Sequence, residues 1–233
     1  MKNNPTKQRK NIISLNKPLK SIINIKYKNR KIIILEIIFL FIIFHKIPFS
    51  IMSITEILIT LKGNGTQYIL NNRTIYNSRF EHNPTEVLVN NKSVEVIDYG
   101  INLSQTYNEI IIKWDYPLVN CSVMFYELKN ITAIKFIKID SSQIINTEYM
   151  FAFCLNLSTI YFNDFNTSHI TNMRGMFLGT NKLYSLNLST FNTSSVKDMS
   201  DMFQGCYAFN LNVNHFNTSS VINMRGMFYF CLI

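Results

Sequence analysis

Leu183-Tyr-Ser-Leu186-Asn-Leu188-Ser-Thr-Phe191-Asn-Thr-Ser-Ser-Val196-Lys-Asp-Met199-Ser-Asp-Met202-Phe203-Gln-Gly-Cys206 is the stretch that decides how this chain folds. Its parts recur on both sides. Phe-Asn-Thr-Ser begins at Phe165, Phe191 and Phe216, at intervals of 26 and 25 residues. A Met-Phe pair keeps the same beat at Met124-Phe125, Met150-Phe151, Met176-Phe177, Met202-Phe203 and Met227-Phe228. Self-similarity at such a period is the signature of a stacked repeat.

Two periodicities follow one another inside a unit. Met173, Met176, Phe177 and Thr180 lie at i, i+3, i+4 and i+7, as do Met199, Met202, Phe203 and Cys206, and Met224, Met227, Phe228 and Cys231. That spacing predicts one face of a short helix. Leu183, Leu186 and Leu188 lead to Phe191, and the spacing of two between Leu186 and Leu188 predicts a short strand. Thr193, Ser194 and Ser195 offer helix-capping oxygens, and Ser195 with Asp198 has capping-box spacing. A unit this small cannot bury its apolar face alone, whereas neighbours stacked at about 5 Å cover one another. The expected fold is an α/β repeat solenoid, leucine-rich-repeat-like, with a short helix and a short strand per unit. A small β-rich cap and an N-terminal membrane segment precede it. The Met-Phe pairs, Met173, Met199, Met224, Leu183, Leu186, Leu188, Phe191 and Phe216 form the expected repeat core.

The string from Leu183 to Cys206 resembles the BspA-type leucine-rich repeat of bacterial and protist surface proteins, over residues 121 to 233. The resemblance implies surface display with adhesion or ligand binding, and it brings no catalytic residue. The first copies depart from the pattern: Cys121 and Thr147 replace the first Met, and Phe136-Ile-Lys-Ile-Asp replaces Phe-Asn-Thr-Ser. A capping repeat accounts for that.

Charge and hydropathy organise the N-terminal part. The 233 residues carry a net charge of +9, yet ten Lys or Arg and no acid fall in residues 1–31, so the remainder sums to −1. Nucleic-acid binding needs the positive field on the folded surface that meets phosphate, and this distribution argues against it. Residues 1–31 read as a basic cytosolic leader, and residues 32–54 as a signal peptide or signal-anchor. The apolar run Ile32–Phe44 is interrupted only by Glu36 and spans about 20 Å as a helix, against a hydrocarbon core of roughly 30 Å. Either reading holds the N-terminus in the cytosol and puts the rest outside or in a secretory lumen. In a eukaryotic cell Asn64, Asn72, Asn91, Asn102, Asn120, Asn130 and Asn156 would be candidate N-glycosylation acceptors.

Residues 55–119 alternate at Ile57, Ile59 and Leu61, at Val87 and Val89, at Val94 and Val96, and at Ile110, Ile112 and Trp114, with turns at Gly63-Asn-Gly65 and Asn90-Asn91-Lys92. They read as the β-rich cap, and residues 120–233 as four to five repeats, the last incomplete. Cys206 and Cys231 fall on adjacent units, where a disulfide is sterically open, with small buried hydrophobes as the alternative. The four His have no metal-ligand spacing, and no Cys or Ser sits in a nucleophile motif. The expected protein is therefore not an enzyme and uses no cofactor. It is a cell-surface or secreted repeat protein, held by residues 32–54, that binds an extracellular protein or glycan. The alternative is a structural coat component that self-associates.

Overall fold

Burial alternates along β1 (Thr55–Lys62): Ile57, Ile59 and Leu61 are fully buried between partly exposed neighbours. The computed structural model describes residues 55–184, 186–207 and 211–231. The leader and the apolar segment assigned to residues 1–54 lie outside them. β1 is central because both of its edges find partners of matching alternation. On one side Ile57 and Ile59 face Ile112 and Ile110 of antiparallel β6 (Tyr107–Trp114), and on the other they face Phe136 and Ile134 of antiparallel β7 (Ile131–Lys138).

Beyond β6 come β3 (Glu86–Val89) and β4 (Lys92–Ser93), joined by Asn90 and Asn91 at φ 48° and 65°. Two successive left-handed residues are what a tight two-residue hairpin requires, and Asn tolerates them. Beyond β7 lies β8 (Thr159–Tyr161), which is parallel to it, so the six-stranded sheet is mixed. A separate two-stranded sheet pairs β2 (Gly65–Tyr68) with β5 (Gly100–Leu103).

The α/β solenoid expectation is overturned. Among the described residues there is no helix, and hence none long and apolar enough to cross a membrane. The sheet also runs on into the repeats, since β7 and β8 belong to the first two units. The strand expected at Leu186–Leu188 is absent as well; there Tyr184 N–H turns back on the Lys182 carbonyl and Ser189 N–H on the Asn187 side chain.

The backbone hydrogen bonds explain why no helix forms. N–H groups of Thr147, Tyr149, Phe151 and Phe153 donate forward to carbonyls of Asn172, Arg174, Met176 and Leu178 in the next unit, at 3.0, 2.8, 3.0 and 2.7 Å. Between them, Met150, Ala152 and Cys154 close three-residue turns on Thr147, Tyr149 and Phe151. Every second amide thus leaves the unit, whereas an α-helix returns each one to the carbonyl four residues back. Two residues per unit are left-handed: Val123 and Glu127, Tyr149 and Phe153, Gly175 and Gly179, Asp201 and Gly205, Gly226 and Phe230, with φ between 51° and 66°. A right-handed helix cannot contain them. The same forward pattern links all five Met-Phe units into a ladder of turns.

Packing follows the ladder. Phe125, Phe151, Phe177, Phe203 and Phe228 stack in one column, with centroids 5.6 to 5.8 Å apart and planes within 12°. Met124, Met150, Met173, Met176, Met199 and Met202 are fully buried beside it. Phe136, Phe162, Phe165 and Phe191 make a second aromatic layer, with Leu183, Leu186 and Leu188 also buried.

Candidate interaction surface

The repeated Phe-Asn-Thr-Ser builds one edge of three units. Phe165 and Phe191 point inward. Oxygens of Asn166, Asn192 and Asn217 accept the N–H two residues on, from Ser168, Ser194 and Ser219, at 2.9 to 3.0 Å. Such a bond lets the side chain stand in for a backbone turn. In the first two copies the Thr is buried and reaches across: Thr167 Oγ1 donates to the Asn192 carbonyl and Thr193 Oγ1 to the Asn217 carbonyl, whereas Thr218 is exposed. Ser195 Oγ donates back to the Ser168 carbonyl, and Asp198 accepts from the N–H and hydroxyl of Ser200. The Thr193 and Ser195 hydroxyls, read as helix caps, therefore join units to one another.

A second polar column stands beside the turns. Asn120, Asn146, Asn172, Asp198 and Asn223 are linked by parallel bridges, and each accepts the N–H two residues on. Immediately before it, Ile145, Thr171, Lys197 and Ile222 each donate N–H to the carbonyl of the preceding member of the series that starts at Val119. One side chain per unit is thus held in a row along the surface. Val119, Ile145 and Ile222 are 46%, 51% and 83% exposed, Lys197 is exposed and Thr171 half-buried. Parallel backbone pairing spaces such a row at about 4.8 Å per step.

The two ends of the ladder differ. Residues 69–80 contact the first two units: Asn71 N–H donates to the Met124 carbonyl at 2.9 Å, Arg73 pairs with Glu127 at 2.8 Å, and Ser78 Oγ donates to Glu148. Tyr76 packs on Tyr149 at 5.1 Å, and Arg174 lies over the same ring while reaching Glu148 at 3.9 Å. Burial holds the Glu148 carboxyl above its usual range, against the opposing pull of Arg174 and Ser78. The Tyr149 ring rests on Gly175 and Phe153 rests on Gly179, where a Cβ would come within 2.7 Å of the Phe153 ring. At the other end Met224 and Phe228 are 44% and 38% exposed, although their counterparts Met199 and Phe203 are fully buried. Tyr229 and Phe230 lie exposed beside them.

Most of the expected core residues lie inside; Phe216 is half-buried, and Met224 and Phe228, in the last described unit, are partly exposed. The disulfide expected between Cys206 and Cys231 is not formed; Cys206 is buried and accepts from the Thr180 hydroxyl, and Cys231 is half-buried. Burial pushes the Cys121 and Cys154 thiols up to about 12 and Cys231 to about 11, which keeps these sulfurs neutral and poorly nucleophilic at ordinary pH. Asn64, Asn91, Asn102 and Asn130 are exposed. Asn72 and Asn156 are half-buried and donate to Asp98 and the Lys129 carbonyl, and Asn120 holds its own turn. No group of three metal-ligating side chains occurs among the described residues. The outward row and the glycine seats of Tyr149 and Phe153 escaped sequence reasoning. An Asn or Asp recurring every 25 or 26 residues was the signal for the row.

A family model described as a Mycoplasma protein of unknown function, DUF285, matches residues 66–161 and again residues 154–232. Neither the curated proteins nor the solved structures give a match.

Proposed function

The chain belongs to the family described as Mycoplasma protein of unknown function, DUF285, and from that premise we propose that it is a surface-displayed or secreted repeat protein of the BspA type that binds an extracellular protein or glycan. The observation that carries this reading is the aligned outward row Val119, Ile145, Thr171, Lys197 and Ile222. A backbone ladder fixes the spacing of these side chains before any partner arrives, so binding costs little ordering entropy. Apolar members supply contact area, and Lys197 adds a charge that selects among partners. A strip of this kind spreads many modest contacts over several units, the binding mode that repeat arrays favour. The basic leader and the apolar segment at residues 32–54 support an orientation with the repeats outside the cell.

The test is adhesion of the full chain, displayed on its own cells, to partner cells and to extracellular matrix. The triple variant Ile145→Asp, Lys197→Glu, Ile222→Asp changes exposed positions only, so it should fold and lose at least about tenfold in binding. Undiminished adhesion by that variant, or a C-terminal epitope reachable only after cells are permeabilised, would defeat the proposal.

A further inference from the structure

We propose that the β-rich cap carries a binding cleft for a short neutral glycan, with Tyr68 as its stacking platform. The cleft lies where the chain leaves one sheet for the other. Val94 N–H still donates to the Val87 carbonyl of β3 at 3.0 Å, at the margin of the six-stranded sheet, whereas Ile101 pairs with Gln67 in the two-stranded one. The crossing leaves a hollow of about 610 Å³, within the usual size range of small-ligand sites. Val94, Ile97 and Ile101 give it an apolar lining, among which Thr66, Asn102, Glu95 and Asp98 place polar groups. Tyr68 lines it too, and is shared with a second hollow of about 450 Å³ beside Asn72 and the Arg73–Glu127 pair. No residue of the outward row lines either hollow, so this site is separate from the one proposed above.

The platform and the wall beside it are both held in place. Tyr68 lies against Gly100, where a Cβ would sit 3.6 Å from the Tyr68 ring and 3.7 Å from the Thr66 methyl, and 48% of Tyr68 remains exposed. The wall is the turn Ile97–Gly100, closed by reciprocal backbone bonds of 3.0 and 2.8 Å, with Asp98 and Tyr99 at φ 49° and 61°. A left-handed Tyr is uncommon. Burial of Tyr99 against Phe80 fixes it there, and Asn72 Nδ2, donating to Asp98 Oδ2 at 2.9 Å, fixes its neighbour. A ligand entering such a site spends little free energy on ordering the protein.

The chemistry of the lining selects the ligand. Ionised Glu95 and Asp98 only accept hydrogen bonds, while Asn102 both donates and accepts. Among the described residues no Lys, Arg or His lines the larger hollow, so an anionic ligand would meet two carboxylates with no opposing charge. A neutral sugar meets the demand. Its hydroxyls donate to the carboxylates and exchange hydrogen bonds with the amide, while the C–H face of its ring covers the apolar face of a Tyr. The sharing of Tyr68 between two hollows suits a chain of sugars better than a single one.

NMR titration of the isotope-labelled full chain with cellotetraose, maltotetraose and N-acetylchitotetraose tests this. At least one of the three should shift the amides of Thr66, Tyr68, Gly100 and Asn102 saturably, and the anionic tetragalacturonate should not. Tyr68→Ala should weaken that binding about tenfold or more, whereas Tyr68→Phe, which keeps the ring, should weaken it less than about threefold. Tyr68 is exposed enough that both variants should keep the amide shifts of Ile57, Ile59 and Leu61. The triple variant of the outward row should bind the sugar unchanged, so adhesion through the row and sugar binding in the cap fail independently. No saturable shift with any of the three sugars, equal binding by Tyr68→Ala, or loss of the sugar in the row variant would overturn the proposal. So would choline or tetragalacturonate shifting the same amides at lower concentration than the sugars, since the occupant would then be an ion.

Discussion

Phe177→Ala should be the most damaging single truncation in the repeats, lowering stability by about 3–5 kcal/mol, the usual cost of emptying a fully buried Phe site. Phe177 is fully buried, stacked on Phe151 and Phe203 at 5.6 Å on either side, and edge-on to Phe162 at 6.2 Å. Removing it deletes two stacked pairs worth about 0.5–1.5 kcal/mol each beyond burial, within that total. Because a unit touches only its neighbours, the loss should also uncouple what lies beyond it. Denaturant unfolding should show a much lower midpoint, and amides of residues 199–205 should lose protection before those of residues 121–127. Phe228→Ala, at a site already 38% exposed and stacked among the described residues on Phe203 alone, should cost about half as much or less. Equal effects of the two variants would mean that the column is not a shared core.

Gly175→Ala is the second large effect, and it probes the backbone rather than the packing. At φ 55° an Ala costs about 1–2 kcal/mol by chirality alone. Its Cβ would also strike the Tyr149 ring, which Tyr76 and Arg174 hold in place, and overpacking of that kind adds about 1–3 kcal/mol. Gly205→Ala separates the two terms. Gly205 has φ 65° but only ordinary contacts, the nearest being Gly179 Cα at 3.7 Å, so it should pay the backbone cost alone. In a helix both substitutions would raise stability, because Ala is the better helix former. A higher melting temperature for either variant would therefore contradict the turn ladder.

The period and the inward column of Met and Phe were legible in the sequence, because side chains that must be buried in every unit have to recur in step. The hairpin at Asn90-Asn91 was legible for a local reason, since two Asn between alternating apolar runs allow the left-handed turn. The helix was misread because i, i+3, i+4, i+7 does not distinguish a helix from successive three-residue turns, which also bring every third residue to one side. Gly175 and Gly179, four apart inside the apolar run, were the breaker signal. Tyr149 and Phe153 take the same left-handed positions without being Gly, so local propensity hid the pattern in the second unit. The pairing of β1 with β7 was out of reach, because it joins residues seventy or more apart through a match of alternation that several other strands satisfy equally. The outward row was missed for the opposite reason: Val119, Ile145, Thr171, Lys197 and Ile222 share a position but no chemistry.

The destination of the amide protons of the Met-Phe segments decides between a turn ladder and a helix. Scalar coupling across hydrogen bonds, measured by NMR on isotope-labelled protein, reads this directly. The turn ladder predicts coupling from the Gly175 nitrogen to the Ser200 carbonyl and from the Phe177 nitrogen to the Met202 carbonyl, whose hydrogen bonds are 2.8 and 2.9 Å long. Coupling from the Phe177 nitrogen to the Met173 carbonyl, four residues back in the same unit, would restore the helix and contradict the fold described above.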